Sequence, residues 1–267
     1  MKKEDMSCFS FREYTEILKN LPGERLTTFL KAYETWKDQR DFSRVDFIVL
    51  RHDVEISIQK ALRLAKLENQ QNTISSYFFQ LRADGYNILS GYGRDVVKQI
   101  AAMGHSIGLH YYVEKKMSRD MLREDIQLDR MTMEKYLDME IKLFSIHRPP
   151  KWILKPPLKI DGMINTYDPL FFRFSTDIKK IFTDSISPLY LADSGHAWKY
   201  GYPCNQTINQ KRRIQILTHP LSWSEEGFLR TENFKHIVFE KHLETIYVLN
   251  RENRDFPVKE VLFDDYL

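Results

Sequence analysis

The stretch Val45-Asp46-Phe47-Ile48-Val49-Leu50-Arg51-His52-Asp53-Val54-Glu55 runs from an apolar segment directly into a cluster of charged side chains. Residues 45–50 have the length and composition of a buried β-strand. Because side chains alternate along a strand, Arg51, Asp53 and Glu55 are expected on one face. Two carboxylates beside a guanidinium are costly in a core, yet they are useful where a metal ion or a reacting group must be held. A simple ion pair at the end of a strand is the alternative interpretation.

Three later apolar runs resemble the first, because each leads into a histidine. These runs are Ser106–His110, Leu143–His147 and Ile214–His219. Segments with helical periodicity alternate with the strands, among them 58–68, 96–103 and 118–137. This alternation predicts an α/β fold with a parallel sheet, either a barrel or a doubly wound sheet. In barrels of this type the carboxyl ends of the strands meet at one rim, where catalytic groups gather.

Composition and charge limit the classes of function. The chain has 267 residues, 42% of them hydrophobic, which suits one large folded domain with a modest extension. The balance of 40 basic against 37 acidic residues gives a net charge of only +3, too weak to predict nucleic-acid binding. No apolar run has the length of a membrane span or a signal sequence, so a cytoplasmic protein is expected. Cys8 and Cys204 are expected as free thiols.

The chain is expected to divide into a short extension and one main domain. Residues 1–44 form the predicted helical extension, packed on the barrel, and residues 45–267 form the predicted catalytic domain. Within the extension, Leu21-Pro22-Gly23 interrupts the helical pattern, because proline and glycine are both unfavourable inside a helix. The sequence does not predict the oligomeric state.

Several of these segments occur in an order typical of a known family. They are Leu50–Glu55, Ala61–Glu68, Ser76–Phe79, Gly104–His110, His147–Pro150 and Leu217–Trp223. Together they resemble the polysaccharide deacetylases with the NodB homology domain, carbohydrate esterase family 4. The likeness is strongest to a divergent branch whose first motif reads Arg-His-Asp-Val-Asp, and it covers roughly residues 45–223. The resemblance implies a distorted (β/α) barrel, a divalent metal, usually zinc, and removal of an N-acetyl or O-acetyl group from a sugar.

The resemblance also assigns roles to residues of this chain. It implies that Asp53 is the catalytic base and touches the metal, that His110 is a metal ligand, and that Arg148 steadies Asp53. It implies that His219, in the last motif, is the general acid. With Glu55 added as an oxygen ligand, the expected metal set is Asp53, Glu55 and His110.

Two positions depart from the family pattern. Val54 replaces the second of two adjacent aspartates, so Glu55 stands where the divergent branch has aspartate. The second metal histidine of the family would fall at Glu114. Either glutamate could bind a metal through oxygen, and His147 is a reserve ligand. An altered or lost metal site is therefore an open alternative.

Residues on the substrate side are less sharply defined. Asp193 is expected at the rim, where it would orient His219 or bind substrate. Trp198 and Trp223 lie near motif segments and are expected to stack on a sugar ring, with burial in the core as the alternative. His52 and His105 are expected to be structural.

The resulting hypothesis is a cytoplasmic, metal-dependent hydrolase that removes an acyl group from a sugar or a sugar-linked precursor in cell-surface glycan biosynthesis. Its substrate would be an acylated amino sugar linked to a nucleotide or a lipid. Two alternatives stay open: a catalytically silent sugar-binding or scaffold protein on the same fold, and a metal-free hydrolase of a non-sugar amide. The metal content of the purified protein would separate the first hypothesis from the other two.

Overall fold

The computed structural model describes residues 8–114, 117–174, 184 and 186–257. At its centre lies a parallel sheet with the strand order β6-β5-β4-β3-β2-β8-β7, and β1 pairs with β2 beside this path. The strands are β1 (Leu26–Thr27), β2 (Phe47–Val54), β3 (Ser76–Phe79), β4 (Ser106–Tyr112), β5 (Leu143–His147), β6 (Ile164–Asn165), β7 (Leu189–Ala192) and β8 (Arg213–Thr218).

Helices separate most of the strands, as the periodicity predicts. They are α1 (Phe11–Lys19), α2 (Phe29–Gln39), α3 (Ile58–Gln70), α4 (Gly91–Ala102), α5 (Arg119–Leu137), α6 (Lys151–Leu154), α7 (Asn205–Ile208) and α8 (Arg230–Glu252). Ser57 caps α3 by accepting a hydrogen bond from the backbone N–H of Lys60. Gly104, just after α4, has a φ of +90°, the left-handed conformation expected of a glycine at this position.

The sheet curls into a half-barrel, which confirms the predicted α/β fold and its distorted barrel. Strands β6 and β7 are the two ends of the strand order, and in the described part of the chain they do not pair with each other. All strand pairs in this sheet are parallel. The carboxyl ends of β2, β4, β5 and β8 therefore point in the same direction.

Strand β2 shows how alternation organises the interior. Phe47 and Val49 pack inside the half-barrel in a cluster that includes Phe29 of α2. Ile48 and Leu50 point to the other side, into a cluster formed with α1 and β8. After Val49, the next two positions on the inner side of β2 are Arg51 and Asp53, so the apolar pattern ends there.

The N-terminal helices contribute to the same cores as the sheet. Tyr14 of α1 donates a hydrogen bond to Glu68 of α3, and Phe29 of α2 is fully buried. The predicted break at Leu21-Pro22-Gly23 is present, since α1 ends before it and α2 begins after it. The domain boundary at residue 44 stays a prediction. Cys8 and Cys204 are free thiols, as expected.

The sequence does not predict two of the strands or the exact ends of others. Strand β2 continues to Val54, so Arg51 and Asp53 lie inside the strand and Glu55 directly follows it. The two-residue strands β1 and β6 are too short to give a periodic pattern. Among the described helices, none combines the length and the apolar character needed to cross a membrane.

Candidate active site and metal centre

A glutamate and two histidines meet at the carboxyl ends of three strands. Glu55 follows β2, His110 lies near the end of β4, and His147 is the last residue of the adjacent strand β5. Glu55 Oε1 lies 2.9 Å from His147 Nδ1 and 3.9 Å from His110 Nε2. The two imidazole nitrogens are 3.2 Å apart. One ligand atom from each of these residues therefore falls within 4.8 Å of the others, close enough to share a cation.

The donor set of this centre fits a divalent metal. Two imidazole nitrogens and one carboxylate oxygen are a known ligand set of catalytic zinc sites, which keep a further position open for water or substrate. His110 Nδ1 lies 2.7 Å from Ser145 Oγ, and the Ser145 hydroxyl donates to Asp53 at 3.4 Å. Ser145 therefore accepts from Nδ1–H, which leaves the lone pair on His110 Nε2, facing Glu55 and His147.

The group that could hold a metal overlaps in part with the expected set. It brings together Glu55 and His110 of that set with the reserve ligand His147, and their role as ligands stays a prediction. Asp53 lies beside the group, with Oδ2 at 3.7 Å from His110 Nε2, but both of its oxygens accept hydrogen bonds from Arg51. Glu114 is exposed and faces Arg82 at 3.9 Å, so the second departure from the family pattern does not supply a ligand.

A buried ion pair stands next to this centre. Arg51 holds Asp53 at two points, with Nε at 2.8 Å from Oδ1 and Nη2 at 2.7 Å from Oδ2. Tyr167 and Gln215 accept further hydrogen bonds from the same guanidinium. Burial acts to raise the pKa of Asp53, but the charge of Arg51 and the neighbouring His110 outweigh it and hold the pKa below its ordinary value. Asp53 is therefore a carboxylate at neutral pH.

The arginine that steadies Asp53 is Arg51, and the prediction of Arg148 for this role is wrong. Arg148 is exposed at the mouth of the cavity, whereas Arg51 is fully buried beneath it. The two residues Arg51 and Asp53 share the inner side of β2, so their contact follows from strand alternation alone. Arg148 also lacks the extended backbone expected before a proline, because its φ is +45°.

His219 is held from behind by Asp193. Its Nδ1 lies 2.6 Å from Asp193 Oδ1, and its backbone N–H donates to the same carboxylate. The indole N–H of Trp223 donates to Asp193 Oδ2 at 2.9 Å. Burial acts to lower the pKa of His219, but the negative charge of Asp193 outweighs it and raises the pKa to about 9. Nε2 is left facing the centre, 3.8 Å from Glu55 Oε1.

These groups line one cavity of about 680 Å³, a size typical of small-molecule sites. Asp53, Glu55, His110, His147 and His219 contribute to its lining. Much of the remaining wall is aromatic or aliphatic; it includes Tyr167, Phe172, Phe174, Tyr190, Tyr200, Leu221, Phe234 and Ile237.

The expected sugar-stacking tryptophans are not part of that wall. Trp223 is completely buried and Trp198 is 7% exposed, and both pack in the core between α1 and β8. The alternative of burial in the core is therefore the correct one, because Trp223 uses its N–H to hold Asp193. Asp193 is also fully buried, so of its two expected roles it has the one of orienting His219.

Sequence reasoning overlooked Ser145, Tyr167 and Gln215. Ser145 has a signal in the sequence, since it precedes His147 by two residues on a strand and must share its face. Tyr167 and Gln215 have none, because their contact with Arg51 depends on how distant segments pack.

The fold and the site define an α/β protein with a curled parallel sheet and a histidine–carboxylate centre at the carboxyl ends of its strands. Solved structures with a similar fold are members of carbohydrate esterase family 4. A pseudoenzyme of this family from Bacillus anthracis matches with 12% identity and a TM-score of 0.40, over 74% of this chain and 60% of that one. The aligned part thus spans three fifths of that protein's length.

Two further structures have similar scores. A chitin deacetylase from Colletotrichum lindemuthianum matches with 14% identity and a TM-score of 0.40, over 73% of this chain and 81% of its own. A family 4 acetyl xylan esterase from Clostridium thermocellum, solved with cobalt, matches with 17% identity and a TM-score of 0.39, over 65% and 73%. No family model and no curated protein matches this chain. The chemistry of the site therefore rests on its own residues.

Proposed function

We propose that this protein is a metal-dependent hydrolase that removes an acyl group, most simply N-acetyl, from a sugar or a sugar-linked precursor of a cell-surface glycan. One observation carries the proposal: a centre of metal-ligand type stands within reach of both a candidate base and a candidate acid. His110 Nε2 lies 3.7 Å from Asp53 Oδ2, the candidate base, and Glu55 Oε1 lies 3.8 Å from His219 Nε2, the candidate acid. Metal-assisted acyl transfer to water uses these three elements together.

Glu55, His110 and His147 would hold the metal, for which zinc is the expectation. When bound, such an ion supplies Lewis acidity for the acyl carbonyl and the attacking water. Asp53 accepts the proton of that water. Arg51 serves this step in two ways, because its double hydrogen bond fixes the orientation of the carboxylate and its charge keeps the carboxylate ionised.

His219 donates a proton from Nε2 to the departing nitrogen of the amino sugar. Asp193 holds Nδ1 and thereby aims the ring into the cavity. Without this proton the nitrogen would have to leave as an anion, so His219 must deliver the proton no later than the bond breaks. The cytoplasmic location expected from the sequence fits a biosynthetic precursor as substrate, and it forms part of the proposal.

The test measures metal and turnover on the same samples. Purified protein is loaded with zinc, its metal content is determined by mass spectrometry, and release of acetate is followed on a panel of N-acetylated amino sugars and their derivatives. We expect about one metal per chain in the parent and loss of most of it in Glu55→Gln and His147→Ala, with loss of turnover in both. His236→Ala is the matched control, because His236 is an exposed histidine of α8 that stacks on Phe228 away from the centre.

Each contrary result points to one alternative. Acetate release by metal-free protein would remove the metal from the proposed reaction, and metal-free hydrolysis of a non-sugar amide would favour the metal-free amide hydrolase. Sugar binding with a full metal site and no turnover on the panel would favour the silent sugar-binding protein. Equal metal content in Glu55→Gln, His147→Ala and His236→Ala would show that Glu55 and His147 are not metal ligands.

A further inference from the structure

We propose that the substrate carries a phosphate group, which Arg148 and Arg230 bind at the mouth of the cavity while the acyl group reaches the centre below. This inference rests on the proposed function, because it names the class of sugar that the same site would take. It starts from the charges on the cavity wall, which are distributed unevenly between its floor and its mouth.

Among the described residues, the acidic side chains that line the cavity lie at its floor and are already engaged. Its acidic lining residues are Asp53, held by Arg51, and Glu55, which belongs to the histidine centre. The basic lining side chains above them are three arginines from three separate segments of the chain. They are Arg148 after β5, Arg173, and Arg230 at the start of α8. The mouth of the cavity therefore favours an anion.

The three arginines differ in the partners that they have among the described residues. Arg173 pairs with Asp184 and also donates to Ser187. In the described part of the chain, no carboxylate lies within ion-pair distance of Arg148 or Arg230. Arg230 instead extends over the ring of Phe234, with its guanidinium carbon 5.9 Å from the ring centre. Arg148 and Arg230 are both exposed, so a ligand can reach them.

The backbone at Arg148 adds an independent observation. Its φ of +45° is unfavourable for a residue with a side chain, and a following proline disfavours helical conformations further. Strain of this kind concentrates at sites where function fixes the position of a side chain. Here one turn of the chain points His147 into the centre and leaves the next side chain, Arg148, at the mouth of the same cavity.

Phosphate is the anion that suits this arrangement. Each guanidinium offers a planar pair of N–H donors that matches phosphate oxygens, and a phosphate can carry the two charges that two arginines neutralise. The aromatic wall formed by residues such as Phe172 and Tyr190 leaves a surface on which a sugar ring can stack. A sugar with its acyl group at the floor and its phosphate at the mouth would contact both the histidine centre and the two arginines.

The test is a binding measurement, so it does not depend on turnover. The full chain, both zinc-loaded and metal-free, is titrated calorimetrically with N-acetylglucosamine, N-acetylglucosamine 1-phosphate and UDP-N-acetylglucosamine. We expect the phosphorylated sugars to bind the zinc-loaded parent at least tenfold more tightly than the neutral sugar. Arg148→Gln and Arg230→Gln should each remove most of this preference. Arg173→Gln is the matched control and should keep it, because its guanidinium is already paired.

The remaining outcomes are equally informative. A preference for both phosphorylated sugars indicates the phosphate itself, and a further gain with UDP-N-acetylglucosamine indicates a nucleotide-linked substrate. Equal affinity for neutral and phosphorylated sugars would overturn the proposal. So would a preference that disappears with the metal but survives both arginine substitutions, since the phosphate would then bind at the centre. The proposed function fails separately, through absent metal or absent turnover.

Discussion

Two clusters in this protein are built from the same residue types, one glutamate and two histidines. The front cluster, Glu55 with His110 and His147, opens into the cavity. The rear cluster, Glu68 with His52 and His105, lies buried between α3 and the sheet. His52 and Asp53 are neighbours on β2, so the two clusters occupy opposite sides of the same strand.

In the rear cluster every acceptor of the carboxylate is used. Glu68 Oε1 accepts from Tyr14 at 2.6 Å and faces His52 Nε2 at 2.8 Å. Oε2 accepts from Ser75 and Tyr77, both at 2.7 Å. His105 in turn accepts from the backbone N–H of Ser75 and donates to a backbone carbonyl of α3. A buried network satisfied in this way stabilises the fold and leaves no ligand position.

The front cluster differs in what surrounds it. Among the described residues, the contacts of Glu55 within 4 Å that involve charged or ionisable side chains are with His110, His147 and His219, and each of these histidines also faces the cavity. Among the described residues, no hydroxyl group donates a hydrogen bond to Glu55, whereas Tyr14, Ser75 and Tyr77 donate to Glu68. The same residue types can therefore form either a metal centre or a structural network. What distinguishes the two clusters is how many hydrogen-bond donors occupy the carboxylate and whether the cluster is open to the cavity.

The largest difference between the two sides is expected when a histidine is removed. His219→Ala should lower turnover by about 10²–10⁴-fold, the usual contribution of a positioned proton donor. Zinc content should stay near that of the parent, because His219 is outside the ligand group. Folding should persist, since Asp193 keeps its hydrogen bonds from the residue-219 backbone and from Trp223. Steady-state kinetics and metal analysis check this together.

His105→Ala is the counterpart on the rear side. It should weaken the fold but leave turnover per folded molecule near the parent value, because His105 does not touch the cavity. Loss of zinc in His219→Ala, or equal loss of turnover in both variants, would contradict the division into a reactive and a structural side.

The sequence predicts where the front cluster lies better than it predicts which arginine supports Asp53. The repeated pattern of an apolar run ending in an ionisable residue was sufficient to place Glu55, His110, His147 and His219 at one rim, because parallel strands bring their carboxyl ends together. The identity of the supporting arginine could not be chosen by family resemblance. Strand alternation puts Arg51 on the same face as Asp53, and the contacts at 2.8 Å and 2.7 Å agree with that placement, whereas the resemblance pointed to Arg148.

The sequence predicts the residues of the rear cluster only in part. His52 and His105 were expected to be structural, and they are. Nothing in the sequence indicates that Glu68, a residue of a helical run, is a fully buried acceptor for Tyr14, since 54 positions separate the two. The prediction that Trp198 and Trp223 stack on a sugar is wrong for a related reason. An aromatic residue near a motif can pack in the core or bind substrate, and the sequence does not show how it packs.

A smaller effect, on stability alone, is expected from Glu68→Gln. The amide keeps the shape of the side chain but removes the charge from four hydrogen bonds, so the free energy of unfolding should fall by about 2–3 kcal/mol. Glu55→Gln is the matched substitution at the front, and it should change stability by less than about 1 kcal/mol in metal-free protein, because fewer donors depend on it. Urea unfolding followed by circular dichroism measures both, and equal losses would remove the distinction between the clusters.

The smallest and most specific effect concerns pH. Burial acts to raise the pKa of Glu68, but the charge of His52 and the hydrogen bonds outweigh it and hold the pKa at about 2, against 4.5 for a free glutamate. A carboxyl group with a lowered pKa in the folded state stabilises the protein above pH 4.5, and this contribution is lost as the pH falls towards 2. In metal-free protein, the stability difference between the parent and Glu68→Gln should therefore shrink steadily as the pH falls below about 4.5. Other carboxylates titrate in both proteins and cancel in the difference. Urea unfolding at half-unit intervals between pH 7 and 3 gives the curve, and a difference that stays constant down to pH 3 would show that Glu68 does not carry the buried charge assigned to it.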